Sequence, residues 1–202
     1  MAKHTHHHGA GSDSDTWARQ HAEVGDLREP ELSKATKALL EAARVKPGSR
    51  VLDVACGAGH TAAAATDAGA DATGMDHSPA MIRIAKERFP GTRFIEGDMQ
   101  VPPDGPWNAI VCRLGAHHAD PSWLSAAWTV LAPGGRLAIA ERDAVDDEDR
   151  AKDMKSLDEW VLLLSNAGFD EVQVTQSEAN FPGPIYIVSG SKPERAPTQL
   201  AP

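Results

Sequence analysis

The stretch "VLDVACGAGH", Val51 to His60, limits what this 202-residue chain can fold into more than any other. An apolar run carrying one acid, Asp53, leads directly into Gly-x-Gly and then into "HTAAAATDAG". The run reads as a buried strand, the glycines as a tight turn, and the alanine-rich segment as a helix stopped by Gly69. The pattern then recurs along the chain. "ADATGMD" is a second strand, and "SPAMIRIAKERFP" a helix with Ser78 as N-cap and Pro79 at its first position. "TRFIEGD" and "WNAIVCR" are the third and fourth strands, followed by "DPSWLSAAWTVLAPGG", a capped helix expected to stop at Pro-Gly-Gly. "RLAIAE" is the fifth strand and "SLDEWVLLLSNAGF" a helix closed by Gly168. "EVQVTQ" and "PIYIVSG" are two last strands with no room for a helix between them. Such alternation means a parallel sheet with helices on both faces, and the closing hairpin makes the final strand antiparallel to its neighbour.

The flanks read differently. Residues 1–15 are His-rich and then Gly/Ser/Asp-rich, with four of the nine histidines at positions 4, 6, 7 and 8. They read as a purification tag or a disordered arm. Residues 16–45 are expected to be helical, interrupted near Glu29-Pro30, and to serve either as a lid over the strand ends or as packing on the sheet flank. Residues 191–202 are Pro-rich and read as a flexible tail. One domain, 16–190, therefore holds the core.

Composition removes some classes. Twenty basic against 29 acidic residues, a net charge of −9, argues against a nucleic-acid partner. No apolar run is long enough for a membrane helix and no secretory segment is evident, so the expected location is cytoplasmic. The two cysteines, Cys56 and Cys112, form no Cys-x-x-Cys pair and suggest no disulfide framework.

In open parallel sheets, ligands sit beyond the carboxyl ends of the strands. "GAGHTA", Gly57 to Ala62, formally fits the dinucleotide pattern G-x-G-x-x-[GA], a weak match by itself. Asp53 separates the readings. A carboxylate this close repels a pyrophosphate and welcomes a cationic ligand such as S-adenosylmethionine (SAM), with its ammonium and sulfonium. Asp76, at the end of the second strand, suits the ribose hydroxyls of either cofactor.

"VLDVACGAGH", "GMDHS", "IEGDM", "CRLGAHH" and "LAPGGRLAIAE" together resemble class I SAM-dependent methyltransferases, most closely the small-molecule group that includes quinone and menaquinone biosynthesis enzymes. The resemblance runs from about Lys46 to Glu141 and more loosely to the final hairpin. It implies a Rossmann-like, doubly wound α/β sheet of seven strands, mostly parallel with an antiparallel final strand. It also implies roles. Asp53 would hold the methionine amine, and Ala55, Gly57 and Gly59 would form the turn beneath the cofactor. Asp76 would take the ribose, with His77 beside the adenine. Asp98 would bond the adenine amine, with Met99 stacked nearby, and Met81 belongs to the same cofactor-contacting set. Arg113 would line the methionine end.

The implied activity is methyl transfer from SAM to a small-molecule acceptor, leaving S-adenosylhomocysteine, by a monomer or homodimer. An NAD(P)-dependent oxidoreductase and a SAM-fold protein that transfers no methyl group are the alternatives. His117 and His118 in "GAHHAD" are the candidate bases, since histidine titrates near neutrality. Adjacent histidines without a carboxylate cluster do not suit a metal, and none is expected. Relatives often roof the acceptor pocket with an insertion after the fifth strand. Here "RDAVDDEDRAKDMK" is short and acidic and reads as a solvated, mobile turn, which leaves the pocket either open or completed by the N-terminal segment around Trp17 or by a second subunit.

Overall fold

In a computed structural model, residues 12–146, 149, 153–180 and 183–194 are described. The chain runs α1 (Ser12–Ala42), β1 (Arg50–Val54), α2 (His60–Asp67), β2 (Asp71–Asp76), α3 (Pro79–Arg88), β3 (Arg93–Glu96) and β4 (Trp107–Arg113). A single 3₁₀ turn, Ala116–His118, leads to α4 (Trp123–Val130) and β5 (Leu131–Glu141). The last elements are α5 (Leu157–Asn166), β6 (Asp170–Asn180) and β7 (Pro184–Ser191). One seven-stranded sheet has the order β3-β2-β1-β4-β5-β7-β6. The β1–β2, β2–β3, β1–β4 and β4–β5 pairs are parallel, and β7 is antiparallel to both of its neighbours. The direction of winding reverses between β1 and β4, which makes the gap beyond their carboxyl ends the switch point.

The alternation of side chains along the strands sorts the core into two layers. Leu52, Val54, Ile110, Cys112, Leu137 and Ile139 pack with Trp123, Leu124, Trp160 and Leu164 of α4 and α5. Val51, Ala109, Val111, Ala138 and Ala140 face Leu32, Ala35, Leu39 and Ala43 of α1. By the same alternation Asp53 and Arg113 turn toward the α1 face and Glu141 toward the opposite one.

Local signals shape the helix ends. Ser78 accepts from the Met81 amide with Pro79 next to it, as the sequence predicts. Ser156 and Glu159 form a reciprocal capping box on α5. Three expectations change. First, α1 is continuous through Pro30 and starts at Ser12, inside the arm expected at 1–15. Its buried Ala18 and Ala22 lie on one side of the proline and Leu32, Ala35 and Leu39 on the other, so packing on both sides carries the helix across the missing amide. Residues 1–11 lie outside the described residues. Second, α4 ends at Val130, before Pro-Gly-Gly. The Lys192 ammonium replaces the expected stop by donating to the carbonyls of Trp128 and Leu131 at 2.8 and 2.7 Å. That ties down the first residues of the expected tail, whose remainder from 195 is outside the description. Third, the ends of the acidic link after β5 are packed. Ala144 and Met154 are buried, and the Ala144 amide donates to the Lys155 carbonyl; residues 147–148 and 150–152 are not described.

Candidate active site

The loop between β1 and α2 is held in an uncommon shape. Ala55 has φ +54° and Gly59, the residue before α2, φ +94°. A Cβ on Gly59 would stand 2.7 Å from the Phe94 ring, so only glycine fits there. The Asp76 carboxylate braces the loop: one oxygen accepts from the Gly57 amide at 2.8 Å and the other from the Ser78 amide at 2.9 Å. The Gly59 amide is spent on the Cys56 carbonyl. Loop amides committed in this way are not offered to a pyrophosphate, which weakens the dinucleotide reading. Leu114 across the switch point also has a positive φ, +57°, and a Cβ on Gly115 would meet the Ala55 Cβ at 2.7 Å. The ends of β1 and β4 therefore meet closely, the Gly115 backbone against the Ala55 methyl, in two strained turns, as functional sites do.

Asp53 lies at the centre of this seam. It is 1% exposed, and neither carboxylate oxygen has a hydrogen-bond partner among the described residues. Burial pushes its carboxyl up to about 7 against the pull of the Arg113 guanidinium and of the Ala62 backbone amide, which nears it without closing a hydrogen bond, and Asp76 adds to the rise. A buried carboxylate without a donor is costly, and a ligand ammonium would relieve the cost. SAM brings an ammonium for Asp53 and a ribose diol for the free lone pairs of Asp76, so the residues present fit it.

The other expected residues are placed as follows. Ala55 and Gly57 lie in the loop; His77 is exposed, with Nδ1 3.5 Å from Asp76. Met81 is buried against Ala18 of α1. Asp98 is exposed and caps the Gln100 amide at 2.8 Å, while Met99 packs on the core edge. Arg113 is committed to α1: its two terminal nitrogens each donate to Glu29 at 2.9 Å, and one reaches the Thr36 hydroxyl at 2.8 Å. Trp17 is half exposed and stacks on His21 at 4.0 Å. Cys56 and Cys112 are free thiols that burial keeps protonated.

The N-terminal half of α1 runs past the sheet to α3 and α2, while its C-terminal half packs on the sheet flank. Asp26 pairs with Arg88 at 2.8 Å and with His60 Nε2 at 3.2 Å, and burial lowers the His60 pKa. None of these α1 partners was singled out from sequence, because pairing across dozens of residues leaves no local pattern.

His117 and His118 form the 3₁₀ turn after β4, with rings 3.9 Å apart. His117 Nδ1 lies 2.9 Å from Glu141 Oε1, which also accepts from the Ala116 and His117 amides at 3.1 and 3.4 Å. Glu141, 2% exposed, went unnoticed in the sequence. Its signal was visible: an acid closing the apolar strand "RLAIAE", much as Asp53 sits near the end of β1. Partial burial and the neighbouring His117 hold the His118 pKa below its usual value.

The sheet order, with a glycine loop after β1 and acids at the ends of β1 and β2, is that of the class I SAM-dependent methyltransferase fold. Residues 51–135 fit the family described as a methyltransferase domain. The demethylmenaquinone methyltransferase of Beutenbergia cavernae is 38% identical over 109 residues, 52% of this chain and 45% of that protein. The trans-aconitate 2-methyltransferase of Paracidovorax citrulli is 33% identical over 125 residues, 57% of this chain and 47% of the relative. The match thus spans about half the length of these relatives. Among solved structures, a chain of the complex between the Haloferax volcanii Trm112 methyltransferase activator and a methyltransferase superposes with a TM-score of 0.76. It is 19% identical, and the match covers 92% of this chain and 100% of that one. No helix among the described residues is long and apolar enough to cross a membrane.

Proposed function

We propose that the protein transfers a methyl group from SAM to a small-molecule acceptor, releasing S-adenosylhomocysteine. The observation that carries this is Asp53, a buried carboxylate with no donor of its own at the switch point of the sheet. When bound, SAM supplies a methyl on a sulfonium, an already activated leaving group. The protein's part is to bind and orient. Asp53 holds the ammonium, Asp76 the ribose while it braces the loop, and Gly57 and Gly59 let the ligand approach the backbone. His77, Asp98 and Met99 lie on the adenine side, and Arg113 fixes α1 beside the methionine end. Met81 contributes through the packing beneath α1. His117 is the base for the acceptor, with His118 beside it.

The two relatives are named for different acceptors, demethylmenaquinone and trans-aconitate, so the acceptor is proposed only as a small molecule. A cytoplasmic protein, monomeric or homodimeric and without a nucleic-acid partner, completes the reading; the net charge of −9 supports the last point.

Calorimetric titration with S-adenosylhomocysteine, with NADH in parallel, tests the proposal on wild type and Asp53→Ala. Micromolar binding of the first ligand, lost in the variant, is expected. Binding of NADH alone would restore the oxidoreductase alternative. Binding of S-adenosylhomocysteine with no methyl transfer to any acceptor class would leave the non-transferring alternative in its place.

A further inference from the structure

We propose that Glu141 is a positioning residue that fixes His117 as a general base, and that the acceptor therefore presents a hydroxyl that must lose its proton. The proposal rests on the methyl-transfer reading and deepens it.

The proton positions follow from the contacts. Oε1 of Glu141 takes two backbone amides and the His117 ring. An oxygen receiving two amide hydrogens is an acceptor, so Nδ1 of His117 carries the shared hydrogen and Nε2 is left with its lone pair. The same two amides lock the turn that carries the ring. The carboxylate is 2% exposed and His117 is 16% exposed, so the acid reaches the cleft only through the imidazole. This is the third member of a nucleophile–base–orienter chain. The place also fits. The turn follows β4 at the switch point, and Gly115, two residues before His117, abuts Ala55 of the glycine loop.

This arrangement selects among acceptors. One that is anionic at neutral pH would leave a base idle. An ammonium acceptor would also lose its proton to Nε2, yet its charge calls for an open carboxylate beside the base, and Glu141 is buried and occupied. A neutral hydroxyl uses what is present. Its proton passes to Nε2 of His117, and the freed oxygen pair bonds the methyl carbon. The carbon–sulfur bond breaks with its electrons going to sulfur, which becomes a neutral thioether. The imidazolium, balanced by Glu141, returns its proton to solvent.

The test uses full-length protein labelled with ¹⁵N-histidine. Long-range ¹H–¹⁵N spectra at pH 7.5 are assigned with His117→Asn. Hydrogen on Nδ1 is expected in wild type, with a fall in that tautomer in Glu141→Gln. In parallel, transfer from labelled SAM is measured to hydroquinone and catechol, to primary amines and to carboxylic acids. Glu141→Gln should lower kcat for the hydroxyl probes about 10- to 100-fold, with KM and S-adenosylhomocysteine affinity unchanged. Hydrogen on Nε2 in wild type, or an unchanged tautomer and kcat in Glu141→Gln, overturns the dyad. Transfer to amines or carboxylic acids in preference to hydroxyls overturns the acceptor class. Should Glu141→Gln not fold, the wild-type tautomer still decides. Failure of wild type to bind S-adenosylhomocysteine sinks the methyl-transfer reading and leaves the tautomer result standing by itself.

Discussion

Two buried carboxylates stand at the carboxyl edge of the same sheet, and they are treated in opposite ways. Asp53 near the end of β1 is 1% exposed and has no hydrogen-bond partner among the described residues. Glu141 at the end of β5 is 2% exposed, and one of its oxygens takes two backbone amides and lies 2.9 Å from the His117 ring. Burial has the same cost for both, and only one is repaid from within the chain. On the proposed function, the acid left without a donor is the one open to a cation from outside, whereas the bonded acid orders its own surroundings.

Exchanging each acid for its amide breaks the comparison most sharply. Asp53→Asn should weaken S-adenosylhomocysteine by about 100-fold, in line with roughly 2–3 kcal/mol for a charge-assisted bond. The same change should stabilise the ligand-free protein above pH 7. Glu141→Gln should do the reverse, leaving affinity unchanged and lowering stability by about 1–3 kcal/mol, as read from urea midpoints. Equal effects of the two variants on binding would end the distinction.

Gly59→Ala probes the loop between them. A Cβ 2.7 Å from the Phe94 ring, on a backbone with φ +94°, should cost about 2–3 kcal/mol of stability.

The pH dependence is subtler. Folding raises Asp53 from 3.8 to about 7, so the ligand-free fold favours its protonated form. The stability tied to that proton is whole below 3.8 and is lost as pH rises through about 7. Ligand binding needs the ionised form, so S-adenosylhomocysteine affinity should climb with pH, by up to about tenfold per unit below 7, and level off above it. A flat profile would mean that Asp53 is already charged before the ligand arrives. The smallest effect is expected far from both acids. Arg83→Ala removes an exposed pair with Asp15 and should shift stability by less than about 0.5 kcal/mol.

The sequence made these regions unequally legible. All seven strands could be read from it, because buried strands between glycine turns and capped helices announce themselves locally. Asp53, Gly57, Gly59 and Asp76 were legible for the same reason, as one loop and the next strand end. Glu141 was not, since its partner lies 24 residues away across a strand pair. Nor was the fate of Arg113, whose guanidinium is taken by Glu29 from 84 residues upstream. The continuity of α1 also escaped the reading: Pro30 is a local stop signal, and packing on both sides overrides it.

The Arg113–Glu29 fork, with Thr36 as its third point, joins the end of β4 to the middle of α1. A helix held that way cannot open independently of the sheet. Amides around Glu29 to Thr36 should exchange their hydrogens with the slow, core-like population, while those near Trp17 exchange by local fraying. Half of α1 thus belongs to the same cooperative unit as the carboxyl edge of the sheet, and an isotope label on that half would read ligand binding at that edge from outside it.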